Sequence, residues 1–305
     1  MIIPGEKTMN PTAIKPAPLL ITDGDDVRQL ILHAGLEGQT VGLVPTMGAL
    51  HQGHLSLVRA AQAECDMTVV SIFVNPAQFG PSEDFRRYPR TLDADLAALA
   101  AEGVEVVFAP SLQQIYPDGH ATTVEVGGIA LPLEGICRPD HFRGVATVVL
   151  KLFHLAPAHV AYFGQKDYQQ SLVVRQMVRD LNLPIRVRVC PIVRETDGLA
   201  LSSRNAYLSD PQRETALSLS RSLRLASELY AAGERNTAEL RRQMRDLLES
   251  ANIDDIDYLA LADRDSLEQD AMVGDSTIAL VAVRVGKTRL IDNHLLADSF
   301  PGNPA

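Results

Sequence analysis

The feature that most constrains this 305-residue chain is a change of period repeated along its first two thirds. Short apolar runs rich in β-branched residues, Thr40–Val44, Thr68–Val74, Val104–Phe108, His159–Phe163 and Ile185–Val189, have the length and composition of buried strands. Between them, His54–Ala63, Leu92–Ala101, Gly144–His154 and Tyr168–Asp180 place Leu, Val and Ala at i, i+3 and i+4, the spacing of one helix face. Strand and helix in alternation build βαβ units, so the expected fold is α/β with a doubly wound parallel sheet. The pattern changes near Val193. Two polar-faced helices, Asp210–Ala231 and Thr237–Ser250, precede strand-like Ile256–Leu261 and Thr277–Val285, with Arg289–Ile291 as a further strand candidate. This predicts a second, smaller α+β C-terminal domain. We expect a leader over residues 1–18, the parallel-sheet domain over 19–193 and the smaller domain over 194–305, joined by a short hinge within Pro191–Asp197.

Composition narrows the partners. Hydrophobic residues are 46% and charged residues 22% of the chain, enough apolar content for a large core, which excludes disorder over most of its length. Lys and Arg number 28 against 38 Asp and Glu, a net charge of −10 that repels nucleic-acid backbones and anionic membranes at long range. No nucleic-acid or membrane partner is expected. Cys65, Cys137 and Cys190 are far apart and form no CxxC pair, which points to a reducing compartment and a cytoplasmic protein. Prolines 4, 11, 16 and 18 interrupt the N-terminal segment, so it reads as a flexible leader rather than a signal sequence or membrane span.

Four segments carry chemistry. In VGLVPTMGALHQGHLSLVRAA, Val41 to Ala61, a strand runs through a tight turn into HxGH at a helix start. Ligands of open parallel sheets bind at the carboxyl ends of strands, where helix N-termini offer N–H groups and partial positive charge. His51 and His54 could both donate to a bound triphosphate, and Gly53 leaves room for a base or ribose. A zinc pair is the other reading of HxGH, though the segment supplies no third ligand. FGQKDYQQ, Phe163 to Gln170, offers Lys166 for a phosphate oxygen, Asp167 as a cap or ribose partner, and Gln170 one turn on; alternatively it is a capped surface helix. GLALSSRNAYLS, Gly198 to Ser209, gathers Ser202, Ser203 and Arg204 into a donor cluster suited to polyphosphate, or forms a polar interdomain loop. In Ser71 to Leu96, Asn75 and Gln78 leave a strand end and would turn neutral amides to the cleft, while Asp93 and Asp95 could approach Mg²⁺ or serve as helix N-terminal charge.

Together PTMGALHQGH, FVNPAQF with YPRTLDAD, HFRGVATVVLKL, FGQKDYQQ and LSSRN, in this order and spacing from Leu19 to Asp292, resemble the pantoate–β-alanine ligase family. The resemblance implies a Rossmann-like domain with a smaller C-terminal lid, a homodimer, and a two-step ligation. Pantoate and Mg²⁺-bound ATP would give pantoyl adenylate and pyrophosphate, and β-alanine would then displace AMP. It also implies roles by position. Met47, Gly48, Ala49, Leu50, His51, Gln52, Gly53 and His54 would line the ATP site, with His54 at the proton-donor position. Gly164, Gln165, Lys166, Asp167, Val193, Leu201, Ser202, Ser203 and Arg204 would complete it, and Lys166, Ser202, Ser203 and Arg204 would contact the β and γ phosphates. Gln78 and Gln170 would bind pantoate, with Gln78 also near β-alanine. Gln52, Gln165 and Leu201 depart from the commonest family residues, as does Ala94, which weakens Mg²⁺ ligation by Asp93 and Asp95; no metal ligand is assigned. The rival readings are an adenylyltransferase acting on a phosphorylated acceptor, for which only Arg138 and Arg143 stand near the acceptor segments, and a non-catalytic nucleotide- or tRNA-binding module.

Overall fold

The run Val41–Thr46 becomes β2, fully buried over its first four residues, at the centre of a six-stranded parallel sheet. A computed structural model describes residues 17–300 other than Ser82, so the expected leader lies almost entirely outside the described residues. The larger unit runs β1 (Leu19–Ile21), α1 (Gly24–Leu36), β2, α2 (Gln52–Glu64), β3 (Met67–Ile72), α3 (Leu92–Glu102), β4 (Val106–Phe108), α4 (Leu112–Ile115), α5 (Glu134–Cys137), α6 (His141–Leu155), β5 (Val160–Gly164), α7 (Tyr168–Asp180) and β6 (Arg186–Cys190). The sheet order is β1-β4-β3-β2-β5-β6. From β2 the chain first moves through β3 and β4 on one side, then crosses to β5 and β6 on the other. The carboxyl ends of β2 and β5 therefore flank the topological switch point, where such sheets open a crevice for ligands.

Helices cover both faces. Val27 and Ile31 of α1, Val145, Val149 and Leu152 of α6 and Val174 and Met177 of α7 pack on one side; Leu55, Val58 and Ala61 of α2 and Leu99 of α3 pack on the other. The smaller unit contains α8 (Asp210–Ala231), α9 (Thr237–Ser250) and an antiparallel sheet of β7 (Ile256–Asp263), β8 (Thr277–Val285) and β9 (Thr288–Leu295), in the order β7-β8-β9. Strand β8 is buried on both faces. Ala279, Val281 and Val283 meet α8 and α9, whereas Ile278 and Leu280 meet Leu133 and Leu172 of the larger unit. Double burial explains the continuous apolar run TIALVAV. The smaller unit is thus docked to the larger through an apolar face as well as through loops. None of the described helices is long and apolar enough to cross a membrane.

Candidate active site

At the end of β2 the chain makes the turn Met47–Leu50, with Gly48 at φ 77° and Ala49 at φ 50°. A single buried carboxylate fixes it. Asp95, in the first turn of α3, accepts from the backbone N–H of Ala49 at 3.0 Å and of Leu50 at 2.8 Å, and from Thr91 Oγ1 at 3.3 Å. Asp95 is therefore occupied by the turn and does not reach toward a metal, and Asp93 lies exposed beside it. Among the described residues no group of three or more His, Cys, Asp and Glu could hold a metal ion, so HxGH has no companions for the zinc reading.

The turn delivers His51 to the N-cap of α2. His51 Nδ1 accepts from the N–H of Gly53 at 3.1 Å, and the His51 N–H points at His54 Nδ1 at 3.4 Å, a reciprocal capping box made of two imidazoles. The ring centroids are 4.1 Å apart. Gly53 is required by this stack, since a Cβ there would lie 2.9 Å from two atoms of the His51 ring. Burial, reinforced by the Lys166 charge, pushes His51 down to about 4; burial, His51 and Lys166 push His54 down to about 3. Burial and the neighbouring charges favour the neutral rings, and because each Nδ1 accepts, the proton of each falls on Nε2, so both rings can offer a hydrogen-bond donor to the cleft.

At the end of β5 the residues Gln165–Asp167 form a single 3₁₀ turn before α7. Asn293 of β9 grips it: its Nδ2 donates to the carbonyls of Gln165 and Lys166, both at 3.0 Å, and its Oδ1 accepts from Gln165 Nε2 at 3.2 Å. The Ser202–Arg204 segment is brought alongside by a short hairpin, in which Arg194 pairs with Ala200 and the Leu201 N–H donates to the Val193 carbonyl at 3.0 Å. The buried pair Arg194 and Asp292 anchors that hairpin to β9 at 2.6 and 3.0 Å. Ser203 Oγ lies 3.2 Å from the Tyr88 hydroxyl, and Arg204 forms a two-pronged pair with Asp84 at 2.9 and 3.1 Å.

One cleft collects Met47, His51, Gly53, His54, Gln78, Gly164, Lys166, Asp167, Gln170, Val193, Leu201, Ser202, Ser203 and Arg204. The remaining candidates stand outside its wall. Gly48, Ala49 and Leu50 form the turn that Asp95 holds, Gln52 is exposed and accepts from Arg59 at 3.1 Å, and Gln165 turns to Asn293. Asn75 does line the cleft, as expected, but it is buried and its amide is engaged by Gln78, Gly144, Tyr116 and Ala77 rather than offered to a ligand. Sequence reasoning missed the opposite wall, an apolar surface of Phe73, Val145, Val148, Val149, Leu152 and Phe163. The valines of HFRGVATVVLKL carried the signal, but their helical spacing reads equally as core.

Fold and cleft together define a class: a Rossmann-like nucleotide-binding protein with an HxGH turn at its switch point and a second, apolar wall to its cleft. Comparison with known proteins is specific. The family model for pantoate-beta-alanine ligase matches residues 19–295. The pantothenate synthetase of Roseiflexus sp. (strain RS-1) is 57% identical over 263 residues, covering 86% of this chain and 94% of that protein. That of Moorella thermoacetica is 53% identical over 270 residues, 88% and 95% of the two chains. Among solved structures, a pantothenate synthetase from Thermus thermophilus superposes with a TM-score of 0.87 at 45% identity, covering 92% of this chain and 100% of the other. Pantoate-beta-alanine ligase from Francisella tularensis, solved with beta-gamma ATP and beta-alanine, gives 0.78 at 36% identity over 93% and 99%. The chain belongs to the pantoate–β-alanine ligase family.

Proposed function

We propose that this chain joins pantoate to β-alanine using ATP, through a pantoyl-adenylate intermediate. The observation that carries the reading is that one cleft is lined by two chemistries: neutral amides, Gln78 and Gln170, with an apolar surface suited to the gem-dimethyl group of pantoate, and the donors His51, His54, Lys166 and the Ser202–Arg204 cluster. In the first step a pantoate carboxylate oxygen attacks the α-phosphorus, forming an acyl–phosphate bond as the bond to the β-phosphate oxygen breaks. A carboxylate needs no activation as a nucleophile, so the site contributes orientation and charge neutralisation. The Nε2–H groups of His51 and His54 donate to oxygens that gain charge, while Lys166, Ser202, Ser203 and Arg204 receive the departing pyrophosphate. Arg204 does so by sharing or leaving Asp84. In the second step the β-alanine amine attacks the acyl carbon near Gln78, loses a proton, and releases AMP.

Mg²⁺ enters as part of the Mg-ATP substrate, held mainly by phosphate and water, since the one carboxylate in the cleft wall, Asp167, has no second acidic residue beside it there and Asp95 and Asp84 are engaged elsewhere. The smaller unit, residues 194–305, is proposed to act as a lid on the nucleotide, and the family resemblance supports a cytoplasmic homodimer. A phosphorylated acceptor is a poorer fit. Arg138 lines the cleft but is tied both to Glu83 at 2.7 Å and to the Gln78 carbonyl at 3.3 Å, and Arg143 pairs with Asp140 on the surface at 2.8 Å, so neither is set as a phosphate ligand beside the apolar wall. Turnover of carboxyl-¹⁸O pantoate tests the route: one ¹⁸O is expected in the phosphate of AMP. Product AMP without ¹⁸O overturns the adenylate mechanism.

A further inference from the structure

The segment Arg138 to Gly144, RPDHFRG, has no part in the reaction written above, yet Arg138, His141 and the Gly144 carbonyl converge on one turn. That turn is Pro76–Gln78, a single 3₁₀ turn whose last residue enters the cleft. The carbonyl oxygen of Gln78 accepts from His141 Nδ1 at 2.9 Å and from Arg138 Nη2 at 3.3 Å. Asn75 Nδ2 donates to the Gly144 carbonyl at 3.2 Å and to Gln78 Oε1 at 3.0 Å. Gly144 has to be glycine, because a Cβ there would lie 2.1 Å from the carbonyl oxygen of Ala77. With its oxygen turned to Asn75, the Gln78 amide is left with its Nε2 donor, which meets only the Met47 sulfur, at 3.3 Å, a weak acceptor that a substrate oxygen can replace.

The hydrogen bonds also fix the state of His141. A carbonyl can only accept, so Nδ1 carries the proton; a guanidinium can only donate, so Nε2, 3.1 Å from Arg138 Nη1, is bare. The ring is therefore held in one neutral tautomer, and burial with the Arg138 charge pushes its pKa down to about 4, against smaller opposing effects of the Gln78 carbonyl hydrogen bond, Glu134 and Glu83.

We propose that His141, its tautomer locked by Arg138, is a positioning residue for the acid substrate: it fixes the Gln78 backbone so that the Nε2 amide is presented to pantoate. The inference rests on the reading of Gln78 as a pantoate ligand. His141 acts through Gln78, and its removal raises the requirement for pantoate while ATP use is retained. The full-length enzyme is assayed as wild type, His141→Ala, His141→Asn and Gln78→Ala, with each substrate varied in turn. The loss of one buried hydrogen bond predicts a pantoate KM raised about 10-fold in His141→Ala, with the ATP KM within about 2-fold of wild type. His141→Asn places an amide N–H where Nδ1 was and brings the pantoate KM back to within about 3-fold. In ¹⁵N-labelled wild type, the imidazole signals lost in His141→Asn should be those of an Nδ1-protonated neutral ring. An unchanged pantoate KM in His141→Ala beside a raised one in Gln78→Ala overturns the proposal, as do equal rises in both substrate KM values or an Nε2-protonated ring. An unchanged pantoate KM in Gln78→Ala overturns the Gln78 reading and this proposal with it. The ring spectrum comes from the wild type, so it decides even if His141→Ala does not fold.

Discussion

Two turns meet at the switch point between β2 and β5, and they are held in different ways. The Met47–His54 turn is built almost entirely from its own neighbourhood: the two histidines cap their own helix, Gly53 makes room for the ring, and Asp95, 46 residues on from Ala49, pins the backbone. The Gln165–Lys166 turn has no side-chain cap of its own and is gripped by Asn293, 127 and 128 residues away on a different sheet. The first turn is thus set by the larger unit alone, whereas the cation opposite it depends on the docking of the smaller unit. The same strand reaches the third cleft segment through the Asp292–Arg194 pair. Strand β9 is therefore the part of the smaller unit that ties two of the cleft segments, beside the apolar docking of Ile278 and Leu280 on Leu133 and Leu172.

The largest effects should come from the groups proposed to touch the phosphates. His54→Ala and Lys166→Ala should each slow adenylate formation by two or more orders of magnitude, about 3 kcal/mol or more of transition-state stabilisation, with circular dichroism unchanged. Near-normal turnover in either removes that turn from the chemistry. The supports come next and separate the two turns. Asp95→Ala leaves two buried N–H groups without an acceptor and should lower kcat/KM for ATP by about 30-fold, roughly 2 kcal/mol. Asn293→Ala should cost about 10-fold in the same quantity and also weaken docking of the smaller unit, seen as faster amide exchange in β9. If Asn293→Ala leaves both unchanged, the remote grip is not needed and the comparison fails.

The histidines give a smaller, pH-dependent effect. In the unfolded chain both rings take up a proton near the ordinary pKa of about 6.5, whereas the folded chain takes them up only at about 4 for His51 and about 3 for His54. Below pH 6.5 the unfolded state therefore binds more protons. Stability is fully present above that pH and is lost progressively as the pH falls toward the folded values. Urea melts between pH 7.5 and 5 should show this slope in wild type and a flatter one in His54→Gln.

The contrast between the turns also explains what the sequence made legible. Strands β2, β3, β5 and β6 and helices α2, α3, α6 and α7 follow from apolar period, and the HxGH turn from its place between a strand and a helix. Helices α8 and α9 match their expected limits, Asp210–Ala231 and Thr237–Ser250. Strand β1 and helix α1 went unread: the strand is three residues long with two leucines exposed at the sheet edge. Strand β9 was expected only over Arg289–Ile291, because its continuation, Asp292, Asn293 and His294, is polar yet buried. Those side chains are buried because each has a partner elsewhere in the fold, Arg194, the Lys166 turn or the Asp298 carbonyl, and partners far apart in sequence leave no local pattern. The same reason hid the role of Arg138 and His141 around Gln78.

In the proposed mechanism this cleft activates the pantoate carboxylate by adenylation before the amine arrives. Exchange of labelled pyrophosphate into ATP, with Mg²⁺ present and β-alanine omitted, tests that order directly. Exchange that requires pantoate, disappears in Lys166→Ala and needs no amine is expected. Absence of exchange in an enzyme that makes pantothenate when both substrates are supplied would contradict a free-standing adenylation step, and exchange without pantoate would contradict the carboxylate as its acceptor.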